Sequence, residues 1–152
     1  MEKEFMSYIR DIVSSKEFLA TKNHRHHING TVYSHSVKVA YLCYKYHKKH
    51  KLNMDIKDLV RGALLHDFYL YNLHGDGKKH RFHWFKHPSK ALNNAIKKYP
   101  DLTEMQRDMI KHHMFPLTPI PPKTKAGWII CFYDKVAAVS DRFERKNRSQ
   151  KH

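Results

Sequence analysis

Fourteen histidines in 152 residues are far more than a chain of this length usually carries, so some of them call for individual explanation. His66 and Asp67 stand side by side where the apolar helical pattern Ile56, Leu59, Val60, Ala63, Leu64 ends. His35 shares a stripe of 3.6-residue spacing with Val32, Val39, Leu42 and Tyr46, which turns it inward. Asp134 falls among Ile130, Tyr133 and Ala137, a setting in which a carboxylate without a partner loses its hydration for nothing. Each of these groups needs something positive, and a divalent metal answers all three. Imidazole supplies a directional nitrogen ligand without adding negative charge, while a carboxylate can bridge two cations through its two oxygens. A cation held there acidifies a bound water toward hydroxide near neutral pH. Such chemistry requires no serine or cysteine nucleophile.

The elements that must position these groups follow from periodicity. Phe5, Ile9, Ile12 and Val13 predict a first helix over about residues 2–19, followed by a polar loop from Thr21 to Gly30 that contains His24, Arg25, His26 and His27. The second helix is expected from about Val32 to His50, and the third, capped by Asn53 or Asp55, leads into His66 and Asp67. Residues 71–86 have no sustained period and read as an irregular loop over the site. Pro88 is expected to open a fourth helix that Pro100 stops, with His87 at its entrance. Thr103-x-x-Gln106 is a capping-box pattern that starts a fifth helix running to His112 and His113. After the proline-rich connection 116–122, Ile129, Ile130, Tyr133 and Ala137 mark a sixth. No strand-like alternation or fixed repeat interrupts this series, so the fold class is all-α, a compact single-domain bundle of about six helices. Residues 142–152 are basic and polar, an extension of the last helix that frays or a C-terminal tail.

Composition limits the partners. A hydrophobic fraction of 41% and an aromatic fraction of 12% suit one packed core. The 29 lysines and arginines against 14 acids give a formal charge of +15, which favours polyanions such as nucleic acid but is equally the mark of solvated helix faces. No apolar run approaches a membrane span and no signal core follows the first residues, so a cytoplasmic protein without a membrane is expected. Cys43 and Cys131 stand alone within apolar patterns and read as buried thiols rather than a disulfide or metal motif.

The ordered set His35, His66-Asp67, Asp134, all on helices, resembles the HD-domain superfamily of metal-dependent phosphohydrolases, and Ala63-Leu64-Leu65-His66-Asp67 is a typical context for its paired residues. The resemblance covers about residues 28–141, the core of a domain read as 1–141. It implies that His35, His66, Asp67 and Asp134 hold a first metal. In subfamilies with two metals it adds His87 and His112, with Asp67 bridging to the second. Two divalent ions are implied, iron or manganese first, with zinc, nickel or magnesium as alternatives. His66 and Asp67 would carry catalysis through the metal-bound hydroxide.

Two departures restrict the resemblance. His113-Met114-Phe115-Pro116 stands where cyclic-dinucleotide phosphodiesterases of the superfamily carry Gly-Tyr-Pro, which disfavours that activity. Leu70 stands three residues past Asp67, where dinuclear members commonly have a phosphate-contacting lysine. Other cations must then meet phosphate, and Lys78, Lys79, His80, Arg81, Lys86 and Lys135 are candidates, although each also fits a solvated surface. His113, His83 and His27 could serve as proton donors in the pocket. The implied function is hydrolysis of a phosphomono- or phosphodiester, a nucleotide or related small phosphate. The alternative is a nucleotide- or nucleic-acid-binding or sensing module on the same scaffold, followed by a di-iron lyase or oxygenase. The oligomeric state is left open.

Overall fold

The computed structural model of the chain describes residues 2–24, 30–69 and 83–149. The apolar positions Phe5, Ile9, Ile12 and Val13 are all buried, on helix α1 (Lys3–Val13). The expected single helix over 2–19 is broken at two serines. Ser15 adopts an extended backbone and its hydroxyl accepts the Phe18 N–H, so it caps a separate α2 (Lys16–Ala20). This is the competition that serine offers to a continuing helix. A 3-10 turn over Thr21–Asn23 follows.

Helix α3 (Val32–His50) opens with a capping box between Thr31 and Ser34 and ends at Lys51, the one described non-glycine residue in the left-handed region. The Asp55 carboxylate caps α4 (Ile56–Leu65) by accepting the N–H groups of Lys57 and Asp58. α5 (His83–Lys98) begins before Pro88, which lies inside it, so His87 sits within the helix rather than at its entrance; residues 83–86 of the expected loop are helical, and its remainder, 71–82, lies outside the described residues. Thr103 and Gln106 form the predicted capping box of α6 (Glu104–His112). α7 (Lys125–Ser149) starts where the Thr124 hydroxyl accepts the Gly127 N–H, and it continues through most of the stretch that composition marks as a tail.

The result is an all-α bundle of seven helices among the described residues. α4 lies between α3 and α6, and α7 closes against both. Val39, Ala40, Leu64, Ile110, Ile130 and Ala137 fill the space between them. At Gly62 an added Cβ would lie 2.6 Å from Met109 Sδ, so glycine is what lets α4 and α6 approach this closely. Cys43 and Cys131 are free and buried. No helix among the described residues is long and apolar enough to cross a membrane.

Candidate metal centre

His66 is the residue at which α4 ends, with a backbone still in the helical region. Its Nδ1 lies 2.7 Å from the Ala63 carbonyl. A carbonyl has no proton to give, so Nδ1 must donate, and Nε2 is left with its lone pair. That Nε2 is buried without a hydrogen-bond partner, 3.5 Å from Asp67 Oδ2 and 3.5 Å from Asp134 Oδ1. A lone pair facing two carboxylates requires a positive charge among them, either a proton or a metal ion. Burial pushes the His66 pKa down, but Asp67 and Asp134 outweigh burial and raise it.

His35 reaches the same carboxylate from α3, with Nε2 2.9 Å from Asp134 Oδ1. Burial again works against its charged form, yet Asp134 and Asp141 lift its pKa from 6.5 to about 9. Burial would raise the Asp134 carboxyl, and the two imidazoles instead hold it well below the usual carboxylate range. Asp141 stands two turns along α7 from Asp134. Its Oδ2 is 3.6 Å from His35 Nδ1, and its Oδ1 accepts a 2.6 Å hydrogen bond from Lys38 Nζ. Asp141 is not among the residues expected from the sequence, although its seven-residue spacing from Asp134 returns a helix to nearly the same face. A carboxylate behind an imidazole fixes which nitrogen the ring presents to a metal.

On the other side of Asp67, Oδ1 lies 3.4 Å from His87 Nε2 and 3.4 Å from His113 Nε2, and these two nitrogens are 3.0 Å apart. His113 Nδ1 is 2.8 Å from the Ile110 carbonyl, so this ring too is a donor at Nδ1 and offers a lone pair at Nε2. Burial dominates here and lowers the His113 pKa, which keeps the imidazole neutral as a metal ligand must be.

Two ligand groups therefore share one residue. His35, His66 and Asp67 form one and Asp67, His87 and His113 the other, each with one atom per residue within 4.8 Å of the rest and every residue buried. The donor set fits divalent metal: imidazole nitrogens directed inward, carboxylates between them that a cation in place of protons would neutralise, and a buried His66 Nε2 without a hydrogen-bond partner. His112, the sixth ligand implied by the resemblance, joins neither group. Its Nδ1 is 2.8 Å from Asp108 Oδ1, one turn back on α6, while His113 occupies the inward position. The stripe Gln106, Met109, Ile110, all buried, continues at helical spacing to His113 and not to His112, and this signal in the sequence distinguishes the two.

Of the candidate phosphate contacts, Lys86 is exposed on α5. Lys135 is half-buried, and its Nζ donates to the Cys131 and His113 carbonyls at 3.0 and 3.3 Å. His27, Lys78, Lys79, His80 and Arg81 lie outside the described residues, as does the side chain of His83. A cleft of about 240 Å³ opens onto Asp134, lined by Met114, Leu117, Lys135, Ala138, Val139 and Arg142. Arg142 was not singled out from the sequence because it falls in the stretch read as a tail.

A family model for the HD domain matches residues 32–146, a span that starts four residues after the expected core and runs five beyond it. No curated protein and no solved structure matches the chain. With most of its length covered by that match, and with paired His/Asp groups able to hold metal on an all-α scaffold, the chain belongs to the HD-domain family of metal-dependent phosphohydrolases.

Proposed function

We propose that this protein hydrolyses a small phosphate ester, a nucleotide foremost, at a dinuclear centre in which Asp67 bridges the two ions. In this reading His35, His66, Asp67 and Asp134 hold one cation and Asp67, His87 and His113 the other, with iron or manganese as the metal. The observation that carries it is the division of the Asp67 carboxylate, one oxygen toward His66 and the other toward His87 and His113. Held by these residues, divalent ions would supply an acidified water and charge stabilisation for the phosphoryl oxygens.

The protein's own groups prepare that chemistry. The Ala63 and Ile110 carbonyls hold the His66 and His113 rings with Nε2 inward. Asp141 stands behind His35 and is itself held by Lys38. Arg142 is exposed and borders the cleft at Asp134, where it could meet a phosphate, and Lys86 is exposed on α5. The size of that cleft favours a small phosphate over a polynucleotide laid across the surface, despite the charge of +15.

Metal analysis of protein purified without chelator, together with a phosphate-release screen over nucleotides and sugar phosphates, tests the reading. Two metals per chain and metal-dependent release are expected. Absence of metal together with no activity on addition of iron or manganese overturns it.

A further inference from the structure

α7 is apolar on two opposite faces. Ala126, Ile130 and Ala137 point into the core. On the far side Trp128, Phe132, Val136, Val139 and Phe143 are exposed, Phe132 by 62% and Phe143 by 63%. At about 100° per residue these five side chains fall within roughly 80° of the helix circumference, so they form one continuous stripe. Exposed apolar stripes of this extent mark association surfaces.

The spacing of the stripe identifies its occupant. Trp128 and Phe143 are equally far from the midpoint between positions 135 and 136, as are Phe132 and Val139, while Val136 lies beside that midpoint. A stripe with this symmetry is complementary to itself when reversed, as an isologous two-fold interface requires. We propose that two copies of the chain pair through antiparallel α7 helices, with Trp128 against the other copy's Phe143, Phe132 against its Val139, and Val136 beside the axis. Aromatic side chains carry roughly 150–250 Å² each. The exposed parts of the stripe thus bring on the order of 1,000 Å² of apolar area to the pair, about what a specific interface clears. Of the cations beside the stripe, Lys135 is folded back onto the Cys131 and His113 carbonyls while Lys125 and Arg142 are exposed, so it is the self-complementary spacing of the stripe, not its flanking charge, that selects a second copy over an anionic lipid surface.

The pairing has a consequence for the candidate site. Val139 belongs both to the stripe and to the lining of the cleft at Asp134. The partner's Phe132, seated on Val139, therefore stands at the mouth of that cleft, and each site is completed by the other copy.

Sedimentation of the full chain over about 1–100 µM, a range in which a weak dimer dissociates by mass action, is expected to give a mass approaching twice 18.2 kDa. Association should strengthen with added salt, because both copies are strongly positive. Phe132→Lys and Val139→Glu, both at exposed positions, should each yield a monomer that keeps its helical circular dichroism. The antiparallel register makes a sharper demand. Combining the two substitutions sets the introduced lysine of each copy opposite the introduced glutamate of the other, and the dimer should return. A wild-type monomer throughout the range, single variants that remain dimeric, or a double variant no more associated than the singles would each overturn the proposal. So would capture of the monomer by anionic vesicles through this face, lost in Phe132→Lys, which would assign the stripe to lipid.

Discussion

The ends of α4 and α6 are built alike and behave differently. At each, a histidine closes the helix in the same backbone conformation, His66 at φ −59° and His113 at φ −58°. Each donates Nδ1–H to the carbonyl three residues back. Each is followed two residues later by a phenylalanine, Phe68 or Phe115, whose N–H returns to the residue before the histidine. The two ends diverge at the residue between. After His66 comes Asp67, which places a carboxylate into the cluster. After His113 comes Met114, which contributes only bulk. With Asp134 also near, His66 is pushed toward its charged form, whereas burial holds His113 neutral. Helix geometry aims both rings, and the distribution of carboxylates decides their charge. On this basis the half of the centre containing His35, His66 and Asp134 should bind a cation more tightly than the half containing His87 and His113.

The largest effect expected from a single substitution comes from the residue that makes the two ends unequal. Asp67→Ala should remove nearly all bound metal from both halves. Hydrolysis should drop by more than the roughly 10–100-fold typical of losing a hydrogen-bond partner behind a ligand. Metal content by elemental analysis and initial rates of phosphate release measure this. Retention of one full equivalent of metal would show that the halves do not depend on a shared bridge.

The next effect separates the ends. His113→Ala should lose chiefly the more weakly held metal and keep the other, and His87→Ala should do the same, whereas His66→Ala should release the tighter one. His112→Ala should leave the metal count unchanged. If His112→Ala empties a site and His113→Ala does not, the equivalence of the two helix ends fails and the ligand set implied by family resemblance replaces it.

Much of this was legible in the sequence, and the failures have physical causes. Periodicity located α3 by its apolar stripe alone, and α4 and α6 because their stripes coincide with capping signals at Asp55 and Thr103. It ran α1 and α2 together because an apolar spacing does not reveal that Ser15 will turn its hydroxyl to the Phe18 N–H. Proline favours a first helical turn, which predicts a start at Pro88, yet a helix entered at His83 accommodates it internally. His35, His66, Asp67, His87 and Asp134 come together because each lies on the inward stripe or end of a helix. His112 did not join them because α6 turns that position toward Asp108, and only the continuation of the buried stripe to His113 distinguishes two adjacent histidines.

A smaller effect concerns how the end of α6 is held from behind. The Asp108 carboxylate accepts the Lys123 and Thr124 N–H groups at 3.1 and 2.8 Å, the Thr124 hydroxyl at 2.6 Å, and the His112 ring at 2.8 Å. It thereby joins α6 to the start of α7, where Gly127 passes so close that an added Cβ would lie 2.8 Å from Asp108 Oδ2. Asp108→Asn replaces one acceptor oxygen with an N–H₂ group directed at these donors. It should destabilise the fold by about 1.5–3 kcal/mol at neutral pH, the range for hydrogen bonds to a charged group, and leave metal stoichiometry intact. Denaturant unfolding of the two proteins measures the difference.

The smallest and most specific effect is the acid dependence of that difference. Burial pushes the Asp108 pKa up, but the hydroxyl of Thr124, the neighbouring backbone N–H groups and His112 more than offset it, so that the folded protein holds this carboxyl below its ordinary value of 3.8. A group whose pKa is depressed by folding binds its proton more readily in the unfolded chain, and its stabilisation is fully present above the unfolded value. The contribution is therefore constant from neutrality down to about pH 4–5 and is lost as the pH falls below 3.8 and through the lower folded value. Asparagine does not titrate. The gap in unfolding free energy between wild type and Asp108→Asn should accordingly narrow on acidification within that window and stay level above it. A gap that is unchanged down to the acid-unfolding limit would mean that the substitution acts through packing at Gly127 rather than through the carboxylate charge. The end of α6 would then be held by shape, without the electrostatic anchor assigned to Asp108.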